Sequence, residues 1–203
     1  MLLAYGRKEA ICGDVAYIRA SFARGGEWYH NSMSKLIVLR GPSASGKSTV
    51  ASMLFKAAKN RVVLIQQDYY RFIFNPSGAG SRLNSETIHK MIESDVAIAL
   101  EDGYDVIMEG ILSVKSYADV LERIFAKHPE DNHLYYFDVS LLETLQRHKT
   151  KPKTDEYGED EILKWYPTSF PSGHPFEKIV AEELSAVQAV EFISTTSGFG
   201  LSG

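Results

Sequence analysis

The sequence predicts an α/β fold in which helices cover both faces of a parallel sheet, and three observations predict it. Short apolar runs of strand length recur along the chain, amphipathic stretches with helical spacing separate them, and one glycine-rich turn joins the first run to the first helix. Runs that are apolar throughout suit strands buried on both faces, as parallel sheets require. Strands and helices in alternation build crossover units, and repeated crossovers build a covered sheet.

Leu36–Leu39 is the first strand, and Val50, Met53, Leu54 and Ala57 give the following helix its apolar stripe. The second strand is Val62–Ile65. Ile88, Met91, Ile92, Val96, Ala99 and Leu100 then form a long helical stripe ended by Gly103. Val106–Met108 is the third strand, followed by a helix on Val120, Leu121, Ile124 and Phe125 that stops before Pro129. Leu134–Phe137 is the fourth strand, Leu141, Leu142 and Leu145 open a short helix, and Glu161, Ile162, Leu163 and Trp165 resume one. Phe176–Ile193 reads either as one long helix or, the preferred reading, as a fifth strand at Lys178–Ala181 and a closing helix. That helix would be capped by Ser185, with Val187, Val190 and Ile193 facing inward.

These elements place one domain at 33–193. Residues 1–32 carry scattered aromatics without a sustained period and are expected to be an extension of uncertain structure outside it. Residues 194–203 are rich in Ser, Thr and Gly and are expected to form a flexible tail. The 203 residues are 44% apolar and 24% charged, which excludes a disordered or collagen-like chain. Cys12 is the one cysteine, so no internal disulfide can form and a reducing compartment fits. No run of 18 apolar residues occurs. Arg7, Lys8, Glu9 and Asp14 break any apolar leader near the start, and a cytoplasmic protein is expected. The net charge of −4 argues against broad binding to nucleic acid or anionic lipid.

The strongest chemical signal is Gly41-Pro42-Ser43-Ala44-Ser45-Gly46-Lys47-Ser48-Thr49, which matches G-x-x-x-x-G-K-[ST] between a strand and a helix. Glycines let the backbone turn its N–H groups toward an anion, and the helix N-terminus adds partial positive charge. Lys47 would reach the β- and γ-phosphates of ATP, and the Ser48 hydroxyl would ligate Mg²⁺.

Strand carboxyl ends face the ligand crevice in open α/β sheets. Asp68, just past the second strand, is therefore a candidate base for an attacking hydroxyl, and Arg71, one helical turn later, a candidate grip on phosphate or acceptor. Tyr69 would line the acceptor side. Glu109, at the end of the third strand, would serve either Mg²⁺ or the acceptor. Arg147, His148, Lys149, Lys151 and Lys153 form a basic cluster in an acidic chain, and a lid near 147–165 is expected from it. Arg147 and Lys151 are the candidate phosphate contacts there. His89, His128, His133 and His174 are isolated and show no metal-ligand spacing.

On Gly41–Thr49, Asp68-x-x-Arg71, Tyr136–Val139 followed by Glu143 and Arg147, and Trp165-Tyr166, residues 34–193 resemble the P-loop small-molecule kinases. That group takes in the AAA_33 family, zeta toxins, chloramphenicol phosphotransferase and the kinase domain of phage polynucleotide kinase. The resemblance implies a five-stranded parallel sheet in the order 2-3-1-4-5, with Asp68 as general base, Arg71 on the acceptor side and Arg147 on the ATP phosphates. Lys149 and Lys151 stand where such kinases commonly carry arginine. The expectation is an ATP-dependent phosphotransferase acting on a hydroxyl of a small molecule. A zeta-toxin-like nucleotide-sugar kinase and an ATPase or switch without an acceptor are the alternatives, and oligomeric state is left open.

Overall fold

Leu36–Arg40 (β1) is buried along its whole length, as a strand covered on both faces must be. The computed structural model describes residues 34–73, 83–149 and 158–202. Expectations about residues 1–32, Lys151 and the middle of the lid lie outside the described residues.

β1 is followed by α1 (Lys47–Ala57), β2 (Val62–Gln66), a π-helical turn (Tyr69–Ile73) and α2 (Ser85–Glu101). Then come β3 (Asp105–Gly110), α3 (Val114–Lys127), β4 (Asn132–Asp138) and α4 (Leu141–Lys149). The chain closes with α5 (Glu159–Trp165), a 3₁₀ turn (Tyr166–Thr168), β5 (Glu177–Ala181) and α6 (Ala186–Ser197). All strand pairs are parallel and the sheet order is β2-β3-β1-β4-β5, the order the resemblance implies.

Side chains alternate across β1. Leu36 and Val38 pack with Ile92, Val96, Val120 and Ile124 from α2 and α3. Ile37 and Leu39 pack with Val50, Leu54 and Ile193 from α1 and α6. Two cores thus flank one sheet, and whichever face a strand-end residue occupies decides which ligand region it meets.

The fifth strand and the separate closing helix are both present. Ser185 caps α6 by accepting the Gln188 N–H at 3.3 Å. Two expectations are corrected here. Val187 is 66% exposed, whereas Ala189, Val190 and Ile193 are buried. The docked stripe is Ala186, Ala189, Val190, Ile193 and Ser197, and a residue following Ala186 is rotated about 100° away from it. Residues 194–202 are no loose tail either. α6 runs through Ser197, Gly198 ends it in the left-handed region, and Phe199 is 2% exposed. Leu201 bridges Ala58, and Ser202 N–H donates to Ala57 at 2.7 Å. One aromatic and a few main-chain bonds secure a segment whose composition reads as loose.

Arg40 ends β1 with its side chain 1% exposed. Its Nη1 meets Glu177 Oε1 at 2.6 Å, Nε donates to the Leu112 carbonyl at 3.2 Å, and Nη2 donates to the Phe170 carbonyl at 3.0 Å. One guanidinium therefore ties β1 to the β3–α3 loop and to β5. Arg40→Met strands the buried Glu177 carboxylate, and removing one partner of such a pair costs about 3–5 kcal/mol. The expected result is a fall in Tm of roughly 10 °C for a domain of this size. Thermal unfolding checks it, with the double change Arg40→Met/Glu177→Gln losing less.

Candidate active site

β1 ends at Arg40 and α1 starts at Lys47, so residues 41–46 make the whole turn at the carboxyl edge of the sheet. Gly41 has φ 144°, and a Cβ there would stand 2.7 Å from the Phe137 carbonyl oxygen of β4. Only glycine fits that exit. Ala44 (φ 60°) and the N-cap Gly46 (φ 97°) both adopt left-handed conformations, strained for the alanine. Such alternation points N–H groups into one concavity above the positive end of α1. The first turn of α1 has no acidic residue and no side-chain cap, which suits its positive end to an anionic ligand.

The Lys47 side chain is buried and bends back over the loop. Its Nζ donates to the Pro42 carbonyl at 2.6 Å and to Ser45 Oγ at 3.0 Å. Ser48 and Thr49 are exposed beside it on the first turn of α1, while Pro42, Ala44 and Ser45 are buried and Ser43 is half-buried.

Arg147 reaches the same loop from α4. Its Nε is held by Glu143 at 2.6 Å, Nη1 donates to the Ser45 carbonyl at 3.0 Å, and Nη2 donates to the Glu182 carbonyl at 2.8 Å. The fork thus bridges the glycine-rich loop and the segment after β5. Between them lies a cavity of about 250 Å³ walled by Gly46, Thr49, Phe137, Arg147, Leu184 and Ala186. Sequence reasoning missed its β5–α6 wall, whose sole signal is its place after the last strand. His148 is corrected: it is 4% exposed and packs inward, so it does not belong to a basic flap. Lys149 is exposed and pairs with Glu159 at 3.3 Å.

Asp68 and Arg71 follow β2 at the same edge. The Asp68 side chain is 63% exposed, and its Oδ1 lies 3.6 Å from Arg71 Nη1. The Arg71 guanidinium sits 5.8 Å from the Trp165 ring and lines a second cavity, about 210 Å³, with Gln67, His89 and Tyr117. The β3–α3 loop shapes this cavity. Leu112 takes φ 41°, its N–H donates to Gln67 Oε1 at 3.4 Å, and its carbonyl is the one held by Arg40. The Tyr117 hydroxyl hydrogen-bonds Gln67, and burial pushes the phenol pKa up. Burial holds the His89 imidazole below its ordinary pKa against the opposing pull of Glu93. Gln67, His89 and Tyr117 were not singled out from sequence as cavity residues, because only the fold brings α2, α3 and the end of β2 together.

Glu109 is buried on the α1 face of β3, level with Leu39 and Gln66, and accepts from Gln66 Nε2 at 2.9 Å. The Arg71 cavity lies on the opposite, α2–α3 face. Tyr69 is not brought to that cavity: it is 51% exposed and lines a groove along the β2 edge with Tyr70, Asp95 and Ile98. A turn that aims Arg71 inward aims a residue two positions earlier elsewhere. Among the described residues no group of three His, Cys, Asp or Glu forms a metal cage, and no helix is long and apolar enough to cross a membrane.

A strand, a glycine-rich anion loop and a helix at the centre of a 2-3-1-4-5 parallel sheet define a P-loop protein with the kinase-type fold. The model of the AAA domain family (AAA_33) matches residues 36–168, and the chain belongs to that family. Solved structures share the fold at low identity. The tunicamycin resistance protein of Deinococcus radiodurans matches at 15% identity and TM-score 0.63, over 84% of this chain and 99% of its own. A gluconokinase from Sinorhizobium meliloti 1021 matches at 16% and 0.58, over 82% and 95%. The APS kinase CysC of Mycobacterium tuberculosis, in complex with AMPPNP and APS, matches at 15% and 0.58, over 81% and 98%. No curated protein matches the sequence.

Proposed function

We propose that this protein transfers the γ-phosphoryl group of ATP to a hydroxyl of a small molecule. The observation that carries the reading is one sheet edge with two separate cavities: one beside the anion loop and Arg147, the other beside Asp68 and Arg71. A hydrolase needs only the first.

The loop amides and Lys47 would bind the phosphates, with Arg147 already bonded to that loop, and the base and ribose would occupy the cavity walled by Leu184 and Ala186. The Ser48 hydroxyl and the Glu109 carboxylate are a donor set that suits Mg²⁺, which prefers one or two protein oxygens together with phosphates. The register of Glu109 with Leu39, next to the end of the strand that leads into the anion loop, favours the metal role for it over the acceptor role. When bound, the ion would neutralise charge on the β- and γ-oxygens. Asp68 would accept the acceptor's proton, and Arg71 would hold Asp68 and the acceptor in line. Catalysis would come from positioning and charge neutralisation.

Transfer of label from γ-labelled ATP to a panel of small alcohols tests this. ADP release without label transfer to any acceptor points to the ATPase or switch instead. Arg147→Ala should raise KM for ATP about tenfold, the loss of a charged hydrogen bond, with little change in KM for acceptor.

A further inference from the structure

Resting on the kinase reading above, we infer that the acceptor is an uncharged polyhydroxylated molecule of about monosaccharide size, held in the Arg71–Tyr117–Trp165 cavity. Three observations converge on it.

The first is size. Small-molecule pockets commonly run about 300–1,000 Å³, and this cavity holds about 210 Å³. A single pyranose or an open-chain polyol matches its scale, whereas most of a nucleotide sugar would stand outside it.

The second is the chemistry of the wall. The wall carries the Gln67 carboxamide and the hydroxyls of Ser113, Ser116, Tyr117 and Thr168. Gln67 and Tyr117 bond each other and Thr168 donates to the Trp165 carbonyl, yet each keeps a further donor or acceptor site for an alcohol. Tyr117 stays a protonated phenol because burial raises its pKa. Trp165 adds a half-buried indole against which the C–H face of a sugar ring can lie. Small hydroxyls around one aromatic wall suit a ligand with a polar rim and an apolar face.

The third is charge. Recognition of a phosphate group draws on several arginines or on an open helix N-terminus. Among the described residues lining the cavity, Arg71 is the one permanent cation, and it already faces the Asp68 carboxylate at 3.6 Å. His89 is shifted toward its neutral form. The N-terminus of α3 borders the cavity, but no glycine-rich loop leads into it as one does into α1, and the Ser116 amide is taken by the Ser113 carbonyl at 3.0 Å. A phosphate dianion entering here would meet one shared guanidinium and one nearby carboxylate. A neutral alcohol meets neither penalty, and its reacting hydroxyl can approach Asp68.

The step balances simply. The acceptor oxygen forms a bond to the γ-phosphorus, the bond from that phosphorus to the bridging oxygen of ADP breaks, and the acceptor proton passes to Asp68 and then to solvent.

Matched acceptors test the inference on the full chain. Neutral hexoses, pentoses and hexitols are compared with their phosphate esters, with nucleosides and with nucleoside-diphosphate sugars, by label transfer from ATP. The expected result is a kcat/KM for at least one neutral sugar or polyol tenfold or more above that of its phosphate ester. A second readout uses the Trp28→Phe chain, in which Trp165 is the remaining tryptophan. The preferred neutral acceptor should shift its emission without ATP, and Tyr117→Phe should weaken that shift about tenfold in acceptor concentration while leaving ATP-analogue affinity unchanged. Preference for a phosphate ester, a nucleoside or a nucleotide sugar overturns the inference and leaves the kinase reading standing. So does an ATP-analogue-binding chain on which no neutral sugar or polyol either accepts label or moves Trp165 emission. Failure to bind a non-hydrolysable ATP analogue at all brings down the kinase reading, and the inference with it.

Discussion

Lys47→Met is expected to cut phosphate transfer about 10³-fold or more while leaving Tm within a few degrees of the parent. The first half follows from where Nζ stands. It is buried over the anion loop, on the Pro42 carbonyl and the Ser45 hydroxyl, close enough to the nest that a phosphate oxygen can take over as partner. Losing one preorganised charge-stabilising donor costs about 10²–10³ in turnover, and Lys47 would also contribute to binding the triphosphate. The second half follows from electrostatics. A cation in the first turn of a helix opposes the helix dipole by about 0.3–1 kcal/mol, and two hydrogen bonds to the loop offset that. Methionine keeps the buried stem. A residue maintained for folding would show the reverse pattern, a large drop in Tm. Label transfer and thermal unfolding of the same preparation distinguish the two, and near-parental transfer by Lys47→Met would remove the phosphate loop from the mechanism.

That same contrast between local pattern and long-range placement separates what was legible in the sequence from what was not. The first four strands could be read from their apolar runs, uninterrupted where both faces are buried as in β1, whereas β5, a half-exposed edge strand, was one of two readings of its segment. The Ser185 cap was readable because capping is local, a side chain meeting a backbone amide three residues on. The glycine-rich loop was readable because its chemistry is carried by backbone conformation, which glycine spacing reports directly. Other features depend on which elements meet. Arg40 looks like an ordinary charge at a strand end, yet Glu177, far away in sequence, makes it one of the most buried side chains. Tyr69 and Arg71 are two residues apart and face different cavities, because the turn between them is π-helical. The β5–α6 wall and the Gln67–Tyr117 pair exist only once the sheet order is set. Val187 shows the cost of choosing an apolar stripe without knowing which side the sheet lies on.

Asp68→Asn is the second change with a large expected effect, and its value lies in what should stay unaffected. The carboxylate is 63% exposed and its ion-pair partner Arg71 is 3.6 Å away, a geometry worth at most about 1 kcal/mol to the fold. Tm should therefore hold. ATP-analogue affinity should also hold, since Asp68 lies beyond β2 and the anion loop lies beyond β1, with β3 between those two strands. Turnover should not. Asparagine keeps the shape and a hydrogen-bonding oxygen but cannot take a proton, and general-base assistance is worth about 10²–10⁴. The expected result is a kcat lowered by that factor with KM for ATP nearly unchanged. Asp68→Glu should recover part of the loss, because it restores a proton acceptor at the wrong reach. A purely positioning role for residue 68 predicts the opposite order, with the isosteric Asn active and the longer Glu impaired. Wild-type turnover in Asp68→Asn would mean that the acceptor loses its proton without this side chain.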